Sequence, residues 1–292
     1  LMKPADFRLN NMNFREVLSM ARTMLVLLAV LMLFTSAFAL IEAEPLSINT
    51  SGVDRMPWVF EDTIYFVTQS YNIYQATWND GNCGEPEPVK GAVNSSENEI
   101  SPCVLRNNIG ELVMYFGRYT GSDRDYDFFR SVFDEGKGEW GEPEVLLELS
   151  TEIQDWKIWV NGDETKAYVT TKGAFGGLEP TGVRDIWVSE KENGKWSTPT
   201  KVDEVNSSGN EWSVFVDPDG KIWFDSSRDD SIGGYDIYFY DPSTGEIGHP
   251  EMMINSFYDE RSMWTDGKII VFSTVDRPNG VGGYDIFMAE LE

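Results

Sequence analysis

The stretch "SSRDDSIGGYDIYFYD" spans residues 226–241, and "STVDRPNGVGGYDIFMAE" spans residues 273–290. Both carry a basic residue, a Gly-Gly turn and a Tyr-Asp-Ile-aromatic strand, so that Tyr235 answers to Tyr284. Self-similarity at a period of roughly 20–50 residues marks solenoids, propellers and arrays, and it points to further copies. An acidic residue at a fixed interval after Asn-Ser or its equivalent aligns them. The copies begin "NTSGVD" ending at Asp54, "NSSENE" at Glu99, "STEIQD" at Asp155, "NSSGNE" at Glu211 and "NSFYDE" at Glu260.

Each of the five copies continues with an apolar strand, a turn, a second apolar strand, a loop and the Tyr-Asp-Ile strand. The turns "NNIG", "NGDE", "DPDG" and "TDG" supply the Gly, Asn and Asp that tight hairpins need. Second strands such as "LVMYFGR" and "IWFDSSR" are rich in β-branched and aromatic residues. Third strands such as "YDIYFYD" alternate between one face and the other. Pro-containing links, "GEPEPVKG", "WGEPEVLL", "WSTPTKV" and "GHPEMMI", lead to the next copy. Each unit therefore reads as a four-stranded antiparallel sheet in about 45–56 residues, the length of a propeller blade.

The expected fold is all-β: a five-bladed β-propeller over residues 45–292. The last copy ends at "YDIFMAELE" without a fourth strand, and "EPLSINT" before the first copy matches segments that end other blades. Residues 45–49 are therefore expected to close the ring on the C-terminal blade, which removes a sheet edge.

"DPDGKIWFDSSRDDSIGGYDIYFYD" and "TDGKIIVFSTVDRPNGVGGYDIF" resemble the PD40, or TolB-like, branch of WD40-like β-propeller repeats. The resemblance extends over all five copies and is weakest in the first, which has Asn72 where the others have Asp127, Asp185, Asp236 and Asp285. It implies a propeller and an extracytoplasmic setting far more than any activity.

Forty-nine acidic against 23 basic residues give a net charge of −26, which argues against nucleic acid or anionic lipid as partners. The segment Met20–Ala39 has a basic start, an apolar run and an Ala-Phe-Ala end, the pattern of a signal peptide cleaved after Ala39. Residues 1–19 form an extension before it, and a membrane contact is expected only if the segment stays as an anchor. A monomer that is periplasmic, secreted or on the cell surface follows. The two cysteines, Cys83 and Cys103, are expected as free thiols because "ISPCVL" reads as a buried strand. One histidine, His249, excludes a His-based triad or a His-rich metal site.

Asp54, Glu99, Asp155, Glu211 and Glu260 recur at one point of the innermost strand, where a propeller surrounds its channel. Five such carboxylates can cap the chain entering each blade, contact a ligand, or hold Ca²⁺ through hard oxygen atoms. No other cofactor is expected. Arg118, Lys172, Arg228 and Arg277 are expected to pair with Asp127, Asp185, Asp236 and Asp285 across the loop between strands. Trp58, Trp159 and Trp264, with Phe215, read as core between blades. Trp156 and Trp212 directly follow their acids and, beside carboxylates, form the combination that stacks on a sugar ring.

Two functions are compatible with these residues. The first is a non-catalytic propeller that binds a glycan, a cell-envelope component or a protein at the channel mouth or blade loops. The alternative is a glycoside hydrolase of the five-bladed kind, with Asp54 as base, Glu211 or Glu99 as acid and Asp155 as modulator. Inverting hydrolysis needs two carboxyls about 6.5–9.5 Å apart. The five acids share nearly the same flanking sequence, whereas an acid and a base need pKa values pushed apart, so the binding protein is the expectation.

Overall fold

Five apolar segments with similar flanks build five similar sheets. In the computed structural model, which describes residues 43–121, 126–250 and 254–291, the chain is a five-bladed β-propeller. The expected extension over 1–19 and signal segment over 20–39 lie outside the described residues. The inner strands are Asp54–Phe60, Glu99–Arg106, Asp155–Val160, Glu211–Val216 and Asp259–Thr265, in blades 1 to 5. They neighbour one another in that cyclic order, blade 5 touching blade 1. Second strands (Thr63–Thr68, Leu112–Tyr119, Lys166–Thr171, Ile222–Ser226, Ile269–Val275) and third strands (Ile73–Asn79, Tyr126–Asp134, Asp185–Glu192, Asp236–Asp241, Tyr284–Glu290) follow outward, all antiparallel. Every hairpin between inner and second strand contains one left-handed residue: Glu61, Gly110, Glu164, Gly220 and Gly267. The turn chemistry expected from Gly, Asn and Asp is thus used, with two glutamates taking the same conformation.

Ring closure follows the expectation closely. Glu44–Pro45 pairs antiparallel with the last strand, Glu44 opposite Met288 and Pro45 opposite Phe287, so blade 5 gains its outer strand from the other end of the fold. The Asn of each repeat explains why it recurs. Asn49 Nδ2 donates to Ile286 O at 2.9 Å and its Oδ1 accepts from Ile286 N at 2.7 Å. Asn94 does the same with Ile73, Asn206 with Ile186 and Asn255 with Ile237. A side-chain amide thus extends the third strand of the preceding blade. In the third copy Ser150 replaces Asn and accepts from Phe128 N at 2.9 Å.

The Gly-Gly-Tyr-Asp loop is explained by the same seam. Asp236 accepts from Ile232 N at 2.6 Å and Gly233 N at 3.0 Å, folding the loop onto its own carboxylate. A Cβ on Gly233 would lie 1.9 Å from Tyr258 O, and one on Gly182 would lie 1.9 Å from Gly209 O, so only glycine lets the loop meet the next blade. Three of the basic residues pair with a different partner from the aspartates expected for them. Arg118 bonds Glu99 at 2.9 Å, Arg228 lies 3.6 Å from Glu211, and Arg277 lies 3.5 Å from Glu260. Asp185, Asp236 and Asp285 already have backbone donors and Asp127 the Thr120 hydroxyl, and the guanidinium reaches inward to the acid of its own blade.

Cys103 is fully buried and Cys83 half-buried, both as free thiols. His249 Nε2 lies 2.8 Å from Asp236, and its ring stacks on Tyr238.

Candidate functional site

The five recurring acids have no exposed surface. Each is braced by the Ser or Thr four residues earlier. Asp54 accepts from Thr50 N at 2.6 Å and Oγ1 at 2.8 Å, and Asp155 from Thr151 N at 2.7 Å and Oγ1 at 2.9 Å. Glu99 takes Ser95 Oγ at 2.5 Å, Glu211 takes Ser207 Oγ at 2.6 Å and Ser226 Oγ at 2.7 Å, and Glu260 takes Ser256 Oγ. The acids therefore sit in five separate braces. Among the described residues no three His, Cys, Asp or Glu side chains gather as a metal-binding group.

Their environments nevertheless differ. Burial raises the pKa of all five, against the pull of the bracing hydrogen bonds. Glu99, Glu211 and Glu260 are also drawn back by Arg118, Arg228 and Arg277. Asp155 has no cation at ion-pair distance, Arg184 acting on it only from farther off, and it feels Asp127 as well, so its burial pushes the carboxyl up to about 8, while Glu260 reaches about 7. The sequence similarity that argued for equivalent acids does not produce equivalent carboxyls.

Immediately after each acid the inner strand breaks register. The shifts fall between Arg55 and Trp58, Ile100 and Cys103, Asp155 and Lys157, Glu211 and Ser213, and Arg261 and Trp264. Met56, Ser101 and Ser262 take positive φ there, a conformation uncommon for residues other than glycine. These bulges are tied around the ring. Ser101 Oγ donates to Trp156 O at 2.6 Å, and Thr170 Oγ1 to Trp212 O at 2.9 Å. Ser262 N donates to Asp225 at 2.6 Å, and Met56 N to Ser273 Oγ at 2.9 Å. A bulge bends the strand and re-aims its side chains, and here those of blades 1, 3, 4 and 5 bring Arg55, Trp156, Trp212 and Arg261 to one mouth.

What they aim is not a ring of acids. Trp156 and Trp212 lie side by side, ring centroids 4.9 Å apart at 69°, both half-buried. Arg184 packs over Trp212 at 4.2 Å and Trp156 at 5.4 Å. Arg261 lies over Tyr235 at 3.7 Å and Trp212 at 4.8 Å, with Asp259 2.5 Å from its Nη2. Arg55 lies over Tyr71 at 4.6 Å and Trp156 at 5.9 Å. Blades 1 and 3 are not neighbours in a five-membered ring, so the Arg55–Trp156 contact crosses the axis. Deeper in, Trp58 meets Phe215 at 5.4 Å and Lys157 Nζ lies 5.3 Å over Trp58, which closes the channel below the mouth. Trp58 and Phe215 are core, as expected.

Trp156 and Trp212 were expected as ligand contacts and stand at this mouth. Arg55, Arg184 and Arg261 were missed, although a signal was present. Arg184 occupies the place held by Tyr71, Tyr126, Tyr235 and Tyr284 in the other copies, and such a departure from a repeat is where a site differs from the scaffold. Clefts also lie elsewhere. One of about 330 Å³ sits at the hairpin end of blades 4 and 5, lined by Asp217, Lys221, Trp223 and Phe239. Its polar groups are already matched, Trp223 Nε1 donating to Asp217 at 2.8 Å. Another of about 650 Å³ opens over the Thr151 turn that braces Asp155, lined also by Asp127 and Lys172.

No family model and no curated protein matches the chain. Solved structures do. A thermostable family-43 glycoside hydrolase is 12% identical with a TM-score of 0.54, covering 85% of this chain and 93% of its own. An endo-arabinase from Bacteroides thetaiotaomicron is 14% identical with a TM-score of 0.53, covering 85% and 98%. An exo-beta-1,3-galactanase from Phanerochaete chrysosporium is 11% identical with a TM-score of 0.54, covering 87% and 64%. At such identities the likeness is one of fold.

These neighbours correct the expectation of a non-catalytic binding propeller, because the three that superimpose here over 85–87% of this chain are glycan-cleaving enzymes. The physical ground of that expectation, five equivalent acids, also falls away with the unequal carboxyls described above.

Proposed function

We propose that the chain is a glycoside hydrolase that works at the channel mouth. The observation that carries this reading is the Trp156–Trp212 pair, each ring half-buried at the mouth and each directly preceded in the chain by a buried carboxyl. Two aromatic faces among polar groups suit a sugar ring, which is apolar on its faces and polar at its rim. The fold shared with glycoside hydrolases supports the same reading.

Cleavage of a glycosidic bond by inversion needs a carboxyl that is protonated at working pH and a second that is ionised. In this proposal Asp155, held neutral to about pH 8, gives its proton to the glycosidic oxygen as the bond to the anomeric carbon breaks. Asp54 takes a proton from the water that forms the new bond to that carbon, so one C–O bond is lost and one gained. The roles of acid and modulator expected from sequence are thereby exchanged. Asp155 is fully covered, so the Thr151 turn under the wide cleft must release it when substrate binds. Export through the Met20–Ala39 segment would place such an enzyme where polymeric glycans are found.

The test is product release from a panel of oligosaccharides and aryl glycosides. Turnover is expected for the purified chain, with a loss of about 100-fold or more in Asp155→Asn and a folded far-UV spectrum retained. Turnover that survives in Asp155→Asn would remove that residue from the mechanism, and no release across the panel would sink the hydrolase reading.

A further inference from the structure

The mouth holds more cation than its neighbours neutralise. Arg184 is only 1% exposed, and its Nε and Nη1 have no hydrogen-bond partner among the described residues. Nε and Nη2 of Arg55 are buried and equally without acceptors there, as is Nε of Arg261. Beneath them Nζ of Lys157 has none either. Only Arg261 among these cations has a carboxylate within ion-pair distance, from Asp259. Two further carboxylates face Arg184, Asp225 and Asp155; both are fully buried, Asp225 already accepting from Trp212 N, Ser213 N, Ser213 Oγ and Ser262 N and Asp155 from Thr151.

Arg184 keeps one long contact, Nη2 donating to Gln154 Oε1 at 3.4 Å; leaving the rest of a buried guanidinium unpaired costs free energy, and a chain with 49 acidic residues does not lack carboxylates to relieve it. The repeat offers a cheaper residue as well, since tyrosine fills the position of Arg184 in the other four copies. Nor can the overall field attract anions, because the net charge is −26. The cations are therefore a local device, effective within a screening length of about 8 Å. Two neutral atoms beside them are also unmatched: the donor Trp156 Nε1 and the acceptor Asn210 Oδ1.

Resting on the glycan reading above, we propose that the mouth selects an acidic sugar. The planar carboxylate of a uronic acid is held by Arg184 and Arg55, its ring lies against Trp156 and Trp212, and its hydroxyls meet Trp156 Nε1 and Asn210 Oδ1. A guanidinium fork matches a carboxylate with two parallel hydrogen bonds, which makes the uronate the fitting anion.

Binding is measured by titration calorimetry and tryptophan fluorescence with trigalacturonate, its neutral counterpart galactotriose and a sulfated galactotriose. The uronate is expected to bind at least about ten-fold tighter than the neutral sugar, and to weaken as salt is added. Arg184→Tyr restores the residue of the other blades and so tests the cation in a fold-compatible background. That variant, and Arg55→Met, should bring the uronate-to-neutral ratio towards one. Equal affinity for the acidic and neutral sugars, or tighter binding of the sulfated one, would overturn the assignment. Uronate binding without turnover of any glycan would leave this site standing and remove the hydrolase reading. Turnover of neutral glycans with no uronate binding would do the reverse.

Discussion

Gly233 shows how much of this chain is decided by single residues. Its Cα faces the carbonyl of Tyr258 in the next blade so closely that a methyl group would lie 1.9 Å from that oxygen. Nothing flexible lies between, so the seam must open or the loop must leave the Asp236 carboxylate. Gly233→Ala should therefore cost about 1–3 kcal/mol of stability in urea denaturation. Gly162 is the control, since nothing lies within 4 Å of a Cβ there, and Gly162→Ala should stay within about 0.5 kcal/mol of the parent. Comparable losses at both glycines would mean that the blade seam is not what Gly233 serves.

At the scale of elements, blade 5 is the one whose outer strand is not joined to its third strand by continuous chain. Asn49 bonds both backbone groups of Ile286 and stands just after the Glu44–Pro45 strand. Asn49→Ala leaves that N–H without its partner and removes one of two bonds to that C=O, which keeps the one from Leu46 N at 2.9 Å, for a loss of about 1–3 kcal/mol. Freeing the closing strand also bares the edge of blade 5, which invites pairing with a second chain. Light scattering should then report association in Asn49→Ala and not in Asn206→Ala, where the third and outer strands of the preceding blade remain joined by continuous chain. A monomeric Asn49 variant as stable as the parent would show that closure does not depend on this amide. The repeated elements were legible in the sequence because Asn49, Asn94, Asn206 and Asn255 do one job four times, and repetition makes a job visible. The mouth was legible only at Trp156 and Trp212. Arg55, Trp156, Trp212 and Arg261 reach it through bulges, and alternation along a strand cannot foretell where register slips. Arg184 was hidden for another reason: an alignment on what repeats looks past the residue that does not.

At the scale of the whole molecule, buried carboxyls set how stability depends on pH, and the signs can be worked out group by group. Asp155 and Glu260 titrate near 8 and 7 in the folded chain, above their usual values of 3.8 and 4.5, because burial penalises the charged form. Between those limits the folded state binds more protons than the unfolded one, so their contribution is full below about pH 4 and is lost as pH rises towards 8. Glu164 works in the opposite sense. Burial opposes its ionisation, but hydrogen bonds from Arg130 at 2.8 Å, Tyr115 and Asn107 at 3.0 Å outweigh it and bring the carboxyl down to about 2. That contribution is present above 4.5 and lost as pH falls towards 2. Self-repulsion acts in the same direction as the first pair, because the net charge of −26 at pH 7 shrinks to nothing near the pI of 4.3. The thermal midpoint at low protein concentration should accordingly peak between about pH 4 and 5 and decline on both sides. Glu164→Gln should remove much of the acid limb, and Asp155→Asn should flatten the limb above pH 5. A midpoint that climbs steadily from pH 5 to 7.5 would mean that Asp155 and Glu260 are ionised at little cost. The braces at Thr151 and Ser256 would then be what offsets their burial, and Asp155 could not be the proton donor proposed for the mouth.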